Sequence, residues 1–398
     1  MKIFDLQIQG FRSLYNISWK PGNLNVIIGL NGNGKSNLLK ALEMLSQSAM
    51  GKLSQQILRE GGMDSLAWDE QNAAVQFKLV ITPPENLNDG KRNNITYQLN
   101  LNQLGSSSSY KIGYELLGDH AQFNRRFKPH QMIILERYLS SATIYDDQRR
   151  GLLIPQESMV TEESLLSCEF MPFATNNSIS LVQNWLSHWQ IYHDFQTHRD
   201  AAVRQEVPAR MESELDFDGS NLVQVLHGLY NTHPDFKMKV NSAMKAAFGD
   251  DFDGLSFQPA ANQQVALLIN WKSSRRSQSS AVLSDGTLRF LYLITILANP
   301  TPPVLIAIDE PITGLHPSMV PIIAELARNA SRRAQIIITT HSEDFLDAIS
   351  EYDPTVTIAD MDDGKTRLNV LDGESLRYWM KESAFRCINR SSEAEGIA

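Results

Sequence analysis

Short apolar runs alternate with helical patterns at both ends of the chain. Near the start, Leu24–Ile28 is a largely apolar run of the kind that is buried inside a parallel sheet, and Leu38, Leu39, Leu42 and Leu45 then recur at helical spacing. The alternation returns between residues 281 and 362, where it predicts helices and buried strands in the order Thr287–Ala298, Val304–Ile308, Pro317–Asn329, Gln335–Thr339 and Ser342–Ser350. Strands that alternate with helices predict an α/β fold with a parallel sheet.

The middle of the chain has a different sequence pattern. Runs of strand-forming residues separated by Gly, Asn and Ser turns predict consecutive strands over Ala73–Pro83, Asn94–Gln103 and Ser109–Leu117, which favours an antiparallel sheet. From about residue 158 the pattern becomes helical, as in Leu181–Tyr192, and residues 253–271 again resemble strands.

These patterns predict one α/β unit that is split in sequence. We expect residues 1–150 and 253–398 to fold together as its two lobes, with the antiparallel sheet as a subdomain of the first lobe. Residues 151–252 are predicted to form a mostly helical insertion between them. A further helix is predicted over Glu374–Lys381.

Composition limits the function classes. The chain has 398 residues, with 36 Lys and Arg against 45 Asp and Glu and a net charge of -9, which is typical of a soluble globular protein. Its two cysteines, Cys168 and Cys387, exclude a disulfide scaffold. No apolar run approaches the roughly 20 residues of a membrane-spanning helix. Since the N-terminus reads as a strand rather than a signal peptide, we expect a cytoplasmic protein with no membrane partner.

Three short basic patches leave DNA open as a partner. The acidic balance argues against a general nucleic-acid coat. The patches Arg125–Lys128, Lys272–Arg276 and Arg332–Arg333 could still form a DNA-facing surface if the fold brings them together. Each patch taken alone is more typical of a solvated face.

The segment Gly29–Ser36 fits the pattern G-x-x-x-x-G-K-[ST] of a phosphate-binding loop. Glycines such as Gly32 and Gly34 allow the backbone to turn several N–H groups toward one point. Lys35 would reach the β- and γ-phosphates of a nucleotide, and the Ser36 hydroxyl would hold Mg²⁺. A chance match is disfavoured because a buried strand precedes the loop and an amphipathic helix follows it.

Two further strands are predicted to end in polar residues at the same sheet edge. The run Val304–Ile308 leads into Asp309 and Glu310, where Asp309 would bind Mg²⁺ and Glu310 would act as the base on the attacking water. The second run ends before His341, which could sense the γ-phosphate or orient that water. The plainer alternatives are a solvated strand end for the two carboxylates and a helix-capping role for the histidine.

A Ser-Asp-Gly corner opens the helix that precedes the Asp-Glu strand. Ser284 and Gly286, within Leu283–Thr287, could bind an anion at the start of that helix. Read alone, Ser284 is an ordinary helix N-cap. Its place in the order phosphate loop, Ser-Asp-Gly, Asp-Glu, His favours the anion-binding interpretation.

In this order the motifs resemble those of ABC-type ATPases. The opening Gly10–Ser13 and the segment Gly314–Pro317 are similar to the RecF/SMC/OLD-like branch, and more narrowly to compact bacterial predicted AAA-family ATPases that lack a nuclease domain. The residues that carry the resemblance are Gly10–Ser13, Gly29–Ser36, Leu283–Thr287, Ile306–Glu310, Gly314–Pro317 and Thr340–Ser342. The resemblance implies a P-loop NTPase fold, namely an ABC ATPase head with an antiparallel β subdomain and a mostly helical insertion.

The resemblance also implies a mechanism in which two heads sandwich two ATP molecules with Mg²⁺. Ser284 of one head would contact the γ-phosphate bound by the other, and Gly314–Pro317 would link the two sites. Arg12 would lie near the nucleotide phosphates, with Asn31 and Asn37 as auxiliary contacts.

Two features depart from the family pattern. The signature reads Leu-Ser-Asp-Gly-Thr, so Asp285 adds a carboxylate near a phosphate site, where it could weaken the contact between heads. After His341 the only acidic cluster is Asp360–Asp363, which is predicted to be a hairpin turn rather than a nuclease site.

The prediction is therefore an ATPase that dimerises on ATP and drives a DNA-related or anti-phage defence process with a separate nuclease or toxin effector. The alternative is a nucleotide-gated assembly module that regulates a protein partner, with slow ATP turnover and no direct nucleic-acid role. A transporter subunit is disfavoured because the signature glutamine is absent.

Overall fold

The structure is a computed structural model, and it describes most of the chain. The described residues are 1–68, 74–83, 94–105, 108–119, 133–139, 141–146, 148, 150–154, 160–168, 176–260 and 263–371. The predicted helix Glu374–Lys381 and the basic patch Arg125–Lys128 lie outside them.

Strands and helices alternate through both ends of the described chain. The strands are β1 (Lys2–Phe11), β2 (Leu14–Trp19), β3 (Leu24–Ile28), β4 (Ala74–Thr82), β5 (Ile95–Gln103), β6 (Tyr110–Asp119), β7 (Ile133–Tyr138), β8 (Ser141–Tyr145), β9 (Gly151–Ile154), β10 (Trp189–Tyr192), β11 (Val207–Pro208), β12 (Phe252–Ala260), β13 (Gln264–Trp271), β14 (Gln278–Ser279), β15 (Leu305–Ile308), β16 (Gln335–Thr340), β17 (Thr355–Asp362) and β18 (Lys365–Leu371). The helices are α1 (Lys35–Ala49), α2 (Leu53–Arg59), α3 (Met63–Leu66), α4 (Asn177–Ser187), α5 (Leu222–Thr232), α6 (Pro234–Phe248), α7 (Asp285–Ala298), α8 (Val320–Ala330) and α9 (Glu343–Ser350).

The strands form three sheets. The central sheet has the order β10-β15-β16-β3-β17-β18 and is parallel except for the last pair. An antiparallel sheet has the order β2-β1-β4-β5-β6-β7-β8-β9, and a small third sheet joins β11, β13, β12 and β14. This confirms the predicted α/β class with an antiparallel subdomain.

Alternate residues of the central strands face two different cores. In β3, Val26 and Ile28 pack in one core with the helices α5 to α9, whereas Ile27 faces the other. In β16, Ile337 shares that second core, which also contains α1 and the inner face of the antiparallel sheet. Because side chains alternate along a strand, a run that is apolar at nearly every position can be covered on both faces.

One predicted helix is wrong. The structure ends α4 at Ser187 and places β10 (Trp189–Tyr192) beside β15 at the edge of the central sheet. Trp185 and Trp189 are buried and meet edge to face, with their ring centroids 4.9 Å apart. A four-residue apolar run has no period of its own, so its pairing with β15 decides its conformation.

The segment predicted as an insertion thus contributes a strand to the central sheet. Its helices α4, α5 and α6 agree with the helical pattern of the sequence. Its strands β10 and β11, however, belong to sheets built mainly from other parts of the chain. The division of the chain into three parts stays a prediction. The acidic cluster Asp360–Asp363 does lie at a hairpin turn, where Asp362 pairs with Lys365 across β17 and β18.

Within the part of the chain that the structure describes, every helix is too short or too polar to span a lipid bilayer.

Candidate functional site

The parallel strands bring several predicted residues to one edge of the central sheet. β3 leads into the loop Gly29–Gly34, β15 into Asp309 and Glu310, and β16 into His341. The strands are in register, with Ile308 beside Ile338 and Thr340 beside Ile28. The carboxyl edge of such a sheet is where ligands bind in open α/β folds.

The loop Gly29–Gly34 has the backbone of a phosphate cradle. Gly32 and Gly34 have φ angles of 88° and 87°, which L side chains rarely adopt. A Cβ on Gly34 would lie 2.0 Å from Thr366 Oγ1, whereas a Cβ on Gly32 would meet open space. The helix α1 begins directly after Gly34 without a side-chain cap, so its first N–H groups face the loop.

Lys35 lies beneath this loop with its side chain only 5 % exposed. Its Nζ donates to the carbonyl oxygens of Gly29, at 2.7 Å, and Leu30, at 3.2 Å. The same Nζ lies 3.2 Å from Glu310 Oε1. The Lys35 ammonium group is thus held against the loop, where it could bind a phosphate group.

Glu310 joins the loop to His341. Its Oε2 accepts from His341 Nδ1 at 2.8 Å and from the His341 backbone N–H at 3.2 Å. Its backbone has a φ of 46°, and its N–H donates to Thr339 Oγ1 at 3.0 Å. A left-handed glutamate is a strained conformation that the surrounding bonds must maintain, and such strain often marks a functional position.

Asp309 is surrounded by hydrogen-bond donors. Thr339 Oγ1 donates to its Oδ1, and Ser36 and His193 lie close to its carboxylate. Burial alone would raise the pKa of Asp309, but the bonds from His193, Thr339 and Ser36 outweigh burial and hold that pKa below its usual range. Asp309 therefore presents a negative charge next to the Ser36 hydroxyl, which is a donor set that suits a hard divalent cation.

His193, at the end of β10, is a site residue that sequence reasoning missed. Its Nδ1 lies 3.7 Å from Asp309 Oδ2, and its Nε2 lies 3.1 Å from Glu43 Oε2. Burial would lower the pKa of His193, but its bonds to Asp309 and Glu43 raise it to about 9. No local signal could find it, because both partners come from distant parts of the chain.

The structure places Arg12 beside the loop but directs its guanidinium elsewhere. Arg12 Nη2 pairs with Glu60 Oε2, which also accepts from Lys40 Nζ at 2.8 Å. The next residue, Ser13, accepts from Asn37 Nδ2 at 2.8 Å. Asn37 is thus linked to Ser13, whereas the charge of Arg12 is balanced by a carboxylate.

Thr366, on β18, ties the loop to this corner. Its Oγ1 donates to Ser13 Oγ at 2.7 Å and contacts the Asn33 carbonyl at 3.1 Å. Asn31, in the same loop, is exposed. The predicted residues of this edge therefore form one assembly, whose members are Asn31, Gly32, Gly34, Lys35, Ser36, Asn37, Asp309, Glu310 and His341.

The second predicted corner lies at the start of α7. Ser284 caps this helix, accepting from the Thr287 backbone N–H at 3.2 Å. A Cβ on Gly286 would lie 2.6 Å from the Gly314 carbonyl oxygen, so the helix start packs closely on the segment Gly314–Pro317. No hydrogen bond or ion pair among the described residues joins this corner to the loop Gly29–Ser36.

The sequence predicts that Asp285 adds a carboxylate near a phosphate site at this corner. The structure pairs its Oδ1 with Arg204 Nη2 at 2.6 Å. The carboxylate thus lies beside a guanidinium that sequence reasoning had not connected with it.

The part of the chain that the structure describes contains no group of three or more His, Cys, Asp and Glu side chains that could hold a metal ion. A cation at Ser36 and Asp309 would therefore take its other ligands from phosphate and water, as Mg²⁺ does in nucleotide sites.

Two family models match the chain one after the other. A model described as "AAA ATPase domain" matches residues 1–171. A model described as "AAA domain, putative AbiEii toxin, Type IV TA system" matches residues 166–347. No curated protein matches the chain at a significant level.

Solved structures of SMC heads have a similar fold. An SMC head bound to the C-terminal winged-helix domain of ScpA is 12 % identical, with a TM-score of 0.59 over 94 % of this chain and 99 % of that chain. An SMC head with an extended coiled coil, bound to the C-terminal domain of ScpA derived from Pyrococcus furiosus, is 12 % identical, with a TM-score of 0.57 over 96 % of this chain and 99 % of that chain. At such identity the likeness concerns the fold alone. The two family matches, together with the loop Gly29–Ser36, identify the chain as a P-loop ATPase with AAA ATPase domains, and its fold is similar to that of SMC heads.

Proposed function

We propose that two copies of the chain bind two ATP molecules between them, together with Mg²⁺, and hydrolyse them there. The observation that carries this proposal is that one chain has two candidate anion-binding corners, the loop Gly29–Ser36 and the helix start at Ser284, and that no hydrogen bond or ion pair among the described residues joins them. A second copy placed head to tail would bring its Ser284 to the γ-phosphate held by the first copy's loop.

Two exposed apolar side chains support such a contact. Leu30, in the phosphate loop, is 73 % exposed, and Val282, just before the signature segment, is 67 % exposed. Both corners thus carry a large apolar group that gains from burial at an interface. A head-to-tail pair would cover both positions in each copy.

Within one site the chain's own residues bind and position the nucleotide. Backbone N–H groups of the loop and of the first turn of α1 would bind the phosphates, and Lys35 would move from the carbonyl oxygens of Gly29 and Leu30 toward the β- and γ-phosphates. Asn31 and Asn37 lie where they could add polar contacts. Arg12 could join them only by leaving Glu60.

Ser36 and Asp309 would hold Mg²⁺, which neutralises charge on the phosphates when it is bound. Their fit rests on the closeness of the two side chains and on the lowered pKa of the Asp309 carboxyl, which keeps it ionised.

Glu310 would accept a proton from the attacking water. His341 orients its carboxylate through Oε2, which leaves the buried Oε1 to face the loop, where it lies 3.2 Å from Lys35 Nζ and accepts no hydrogen bond from the described residues. A cavity of about 220 Å³ opens beside Glu310 and His341. Water would attack the γ-phosphorus directly, the proton would pass to Glu310, and ADP would leave without a covalent enzyme intermediate.

The process driven by this ATPase is proposed to be DNA-related or a form of anti-phage defence with a separate nuclease or toxin effector. The description of one family model, which names an AbiEii toxin of a type IV toxin–antitoxin system, supports this direction. Turnover should then rise when DNA or the effector is added. The nucleotide-gated assembly module would be favoured instead if ATP turnover is slow and does not change when DNA is added, and if the protein assembles in the presence of ATP.

Two of the three basic patches lie within the described residues. Lys272–Arg276 follows β13 and Arg332–Arg333 follows α8, where Arg333 Nη1 donates to the Pro300 carbonyl at 3.0 Å. Fluorescence anisotropy with labelled duplex DNA, with and without ATP, would test this partner directly.

The dependence of ATP turnover on protein concentration tests the shared site. If each site needs two subunits, activity per subunit should rise with protein concentration and then level off. Activity per subunit that is constant down to nanomolar protein would contradict a reversible dimer.

A further inference from the structure

A connecting segment, residues 193–204, runs from the Asp309 edge of the central sheet to the signature corner. It begins after β10, where the Asp309 backbone N–H donates to the Tyr192 carbonyl at 2.8 Å and His193 approaches the Asp309 carboxylate. It ends at Arg204, in a short 3-10 turn (Ala202–Arg204) that packs on a second 3-10 turn (Ser280–Val282) before the signature.

Between its ends the connecting segment is fixed to one face of α7. Asp194 Oδ1 accepts from Arg289 Nη2 at 3.0 Å. The ring of Phe195 stacks on Tyr292 with a centroid separation of 4.8 Å and an interplanar angle of 8°. Tyr292 also donates from its hydroxyl to the Gln196 carbonyl at 3.2 Å. The segment is therefore tied to the signature helix along its length.

The guanidinium of Arg204 closes this connection. Its Nε donates to the carbonyl of Thr197 in its own segment, at 2.8 Å. Its Nη1 lies within hydrogen-bonding distance of three carbonyl oxygens of the turn before the signature, which are those of Ser280 at 3.3 Å, Ala281 at 3.1 Å and Leu283 at 2.7 Å. Its Nη2 donates to Asp285 Oδ1 at 2.6 Å.

This arrangement is more than a surface ion pair. The Arg204 side chain is only 10 % exposed, and its planar fork contacts the backbone before Ser284 and the Asp285 side chain after it. Lysine has a single nitrogen and cannot span the same set of acceptors. One side chain, which lies about 80 residues earlier in the sequence, thus binds the segment between Ser280 and Asp285 at several points.

Arg204 also changes the electrostatics of the corner. Ser284 would face a γ-phosphate, and an unpaired Asp285 next to it would repel that group. A guanidinium bonded to Asp285 offsets the repulsion and leaves the N–H groups of α7 as the local field. Asp285 is therefore compatible with anion binding at this corner, because Arg204 forms an ion pair with it.

We propose that Arg204 is a positioning residue for the signature corner: it holds Ser284 in place for the nucleotide of the partner copy and balances Asp285. This inference rests on the proposed function, because it assumes a shared site. It adds that the geometry of each signature corner is set by the connecting segment, which also touches the Asp309 edge of the same chain. The chain's own nucleotide edge and its signature corner are thereby joined by one continuous element.

The first test compares single variants in ATP turnover and ATP binding. Arg204→Ala should lower turnover by about 100-fold, since misplacement by about 1 Å can cost this much, while the affinity of the loop for a fluorescent ATP analogue stays unchanged. The turnover of Arg204→Lys should lie between that of the wild type and that of Arg204→Ala. Arg199→Ala, an exposed arginine of the same segment, is the matched control and should behave as the wild type.

The second test asks in which copy Arg204 acts. Two differently tagged chains, one with Arg204→Ala and one with Glu310→Gln, are co-expressed and purified as the mixed dimer. One of its two sites combines an intact loop and Glu310 with an intact signature corner. Its turnover should equal that of a mixed dimer of wild type with Glu310→Gln. A merely structural defect of the Arg204→Ala chain would leave the mixed dimer as slow as the Arg204→Ala homodimer, which would overturn the proposal.

The two proposals fail in different ways. If the wild-type protein has no ATP turnover that Lys35→Ala removes, the proposed function fails. If wild-type turnover is intact and Arg204→Ala hydrolyses ATP at the wild-type rate, only the role of Arg204 is overturned.

Discussion

Glu310 Oε1 lies 3.2 Å from Lys35 Nζ, so the residue assigned as base is paired with the lysine assigned to the phosphates. An ATP γ-phosphate would have to displace this carboxylate from Lys35. Glu310→Gln should therefore bind ATP about fivefold more tightly, the equivalent of one ion pair of about 1 kcal/mol, and should lose turnover. Isothermal titration and a phosphate-release assay measure the two effects. A Glu310→Gln protein that hydrolyses ATP at the wild-type rate would refute the assignment of the base.

Lys35→Ala should abolish ATP binding. The substitution removes the charge that lies under the loop, and no second lysine occupies that position among the described residues. Lys52→Ala, which changes an exposed lysine at the start of α2, is the control and should bind ATP normally. Equal affinities of the two variants, measured by anisotropy of a fluorescent analogue, would show that the loop does not use Lys35.

The two loop glycines should differ in their sensitivity to alanine. Gly32→Ala carries only the cost of a left-handed backbone, about 1–2 kcal/mol of unfolding free energy, because its Cβ meets open space. Gly34→Ala carries that cost and a clash with Thr366 Oγ1. Its loss in urea unfolding should be larger, and Thr366→Ala should restore part of it in Gly34→Ala alone. Equal losses at both glycines would contradict the close packing of β18 on the loop.

Stability should also depend on the pH through Glu115, which lies away from the site. Glu115 is fully buried, and its carboxylate accepts hydrogen bonds from Ser164 Oγ, the Leu165 N–H and the Tyr97 hydroxyl. Burial raises the pKa of Glu115 above its usual value of 4.5, although these bonds and Arg137 oppose the shift.

A raised folded-state pKa means that the folded chain binds this proton more tightly than the unfolded chain does. The stability that Glu115 contributes is therefore fully present below pH 4.5 and is lost as the pH rises through the folded-state pKa. Urea unfolding of the wild type and of Glu115→Gln should be measured from pH 4.5 upward. The free energy of unfolding of the wild type should fall relative to that of the variant as the pH rises. A constant difference between them would mean that the Glu115 pKa is not raised.

Much of the nucleotide edge could be predicted from the sequence because its elements are local. The loop Gly29–Ser36 lies between a strand and a helix that each have a clear apolar pattern, and Asp309 and His341 each follow a buried strand. Since parallel strands present their carboxyl ends at one edge, the meeting of these residues follows from the strand pattern alone. The antiparallel sheet was predictable for a similar reason, because turn residues separate its strands.

The rest depends on contacts between distant positions. Trp189–Tyr192 is a strand only because β15 lies beside it, so neither β10 nor the role of His193 could be read from the local pattern. The pairing of Asp285 with Arg204 joins residues 81 positions apart, and that of Arg12 with Glu60 joins residues 48 apart. In each case a charge that the sequence shows without a partner is balanced by a residue from a distant part of the chain.

The solution mass of Glu310→Gln with and without Mg-ATP reports whether two copies share the nucleotide sites, because this variant should bind ATP without consuming it. We predict a shift from one subunit to two on adding Mg-ATP, and the loss of that shift when Ser284→Arg is added to the same chain. A mass that stays at one subunit while the nucleotide site is saturated would contradict the shared site.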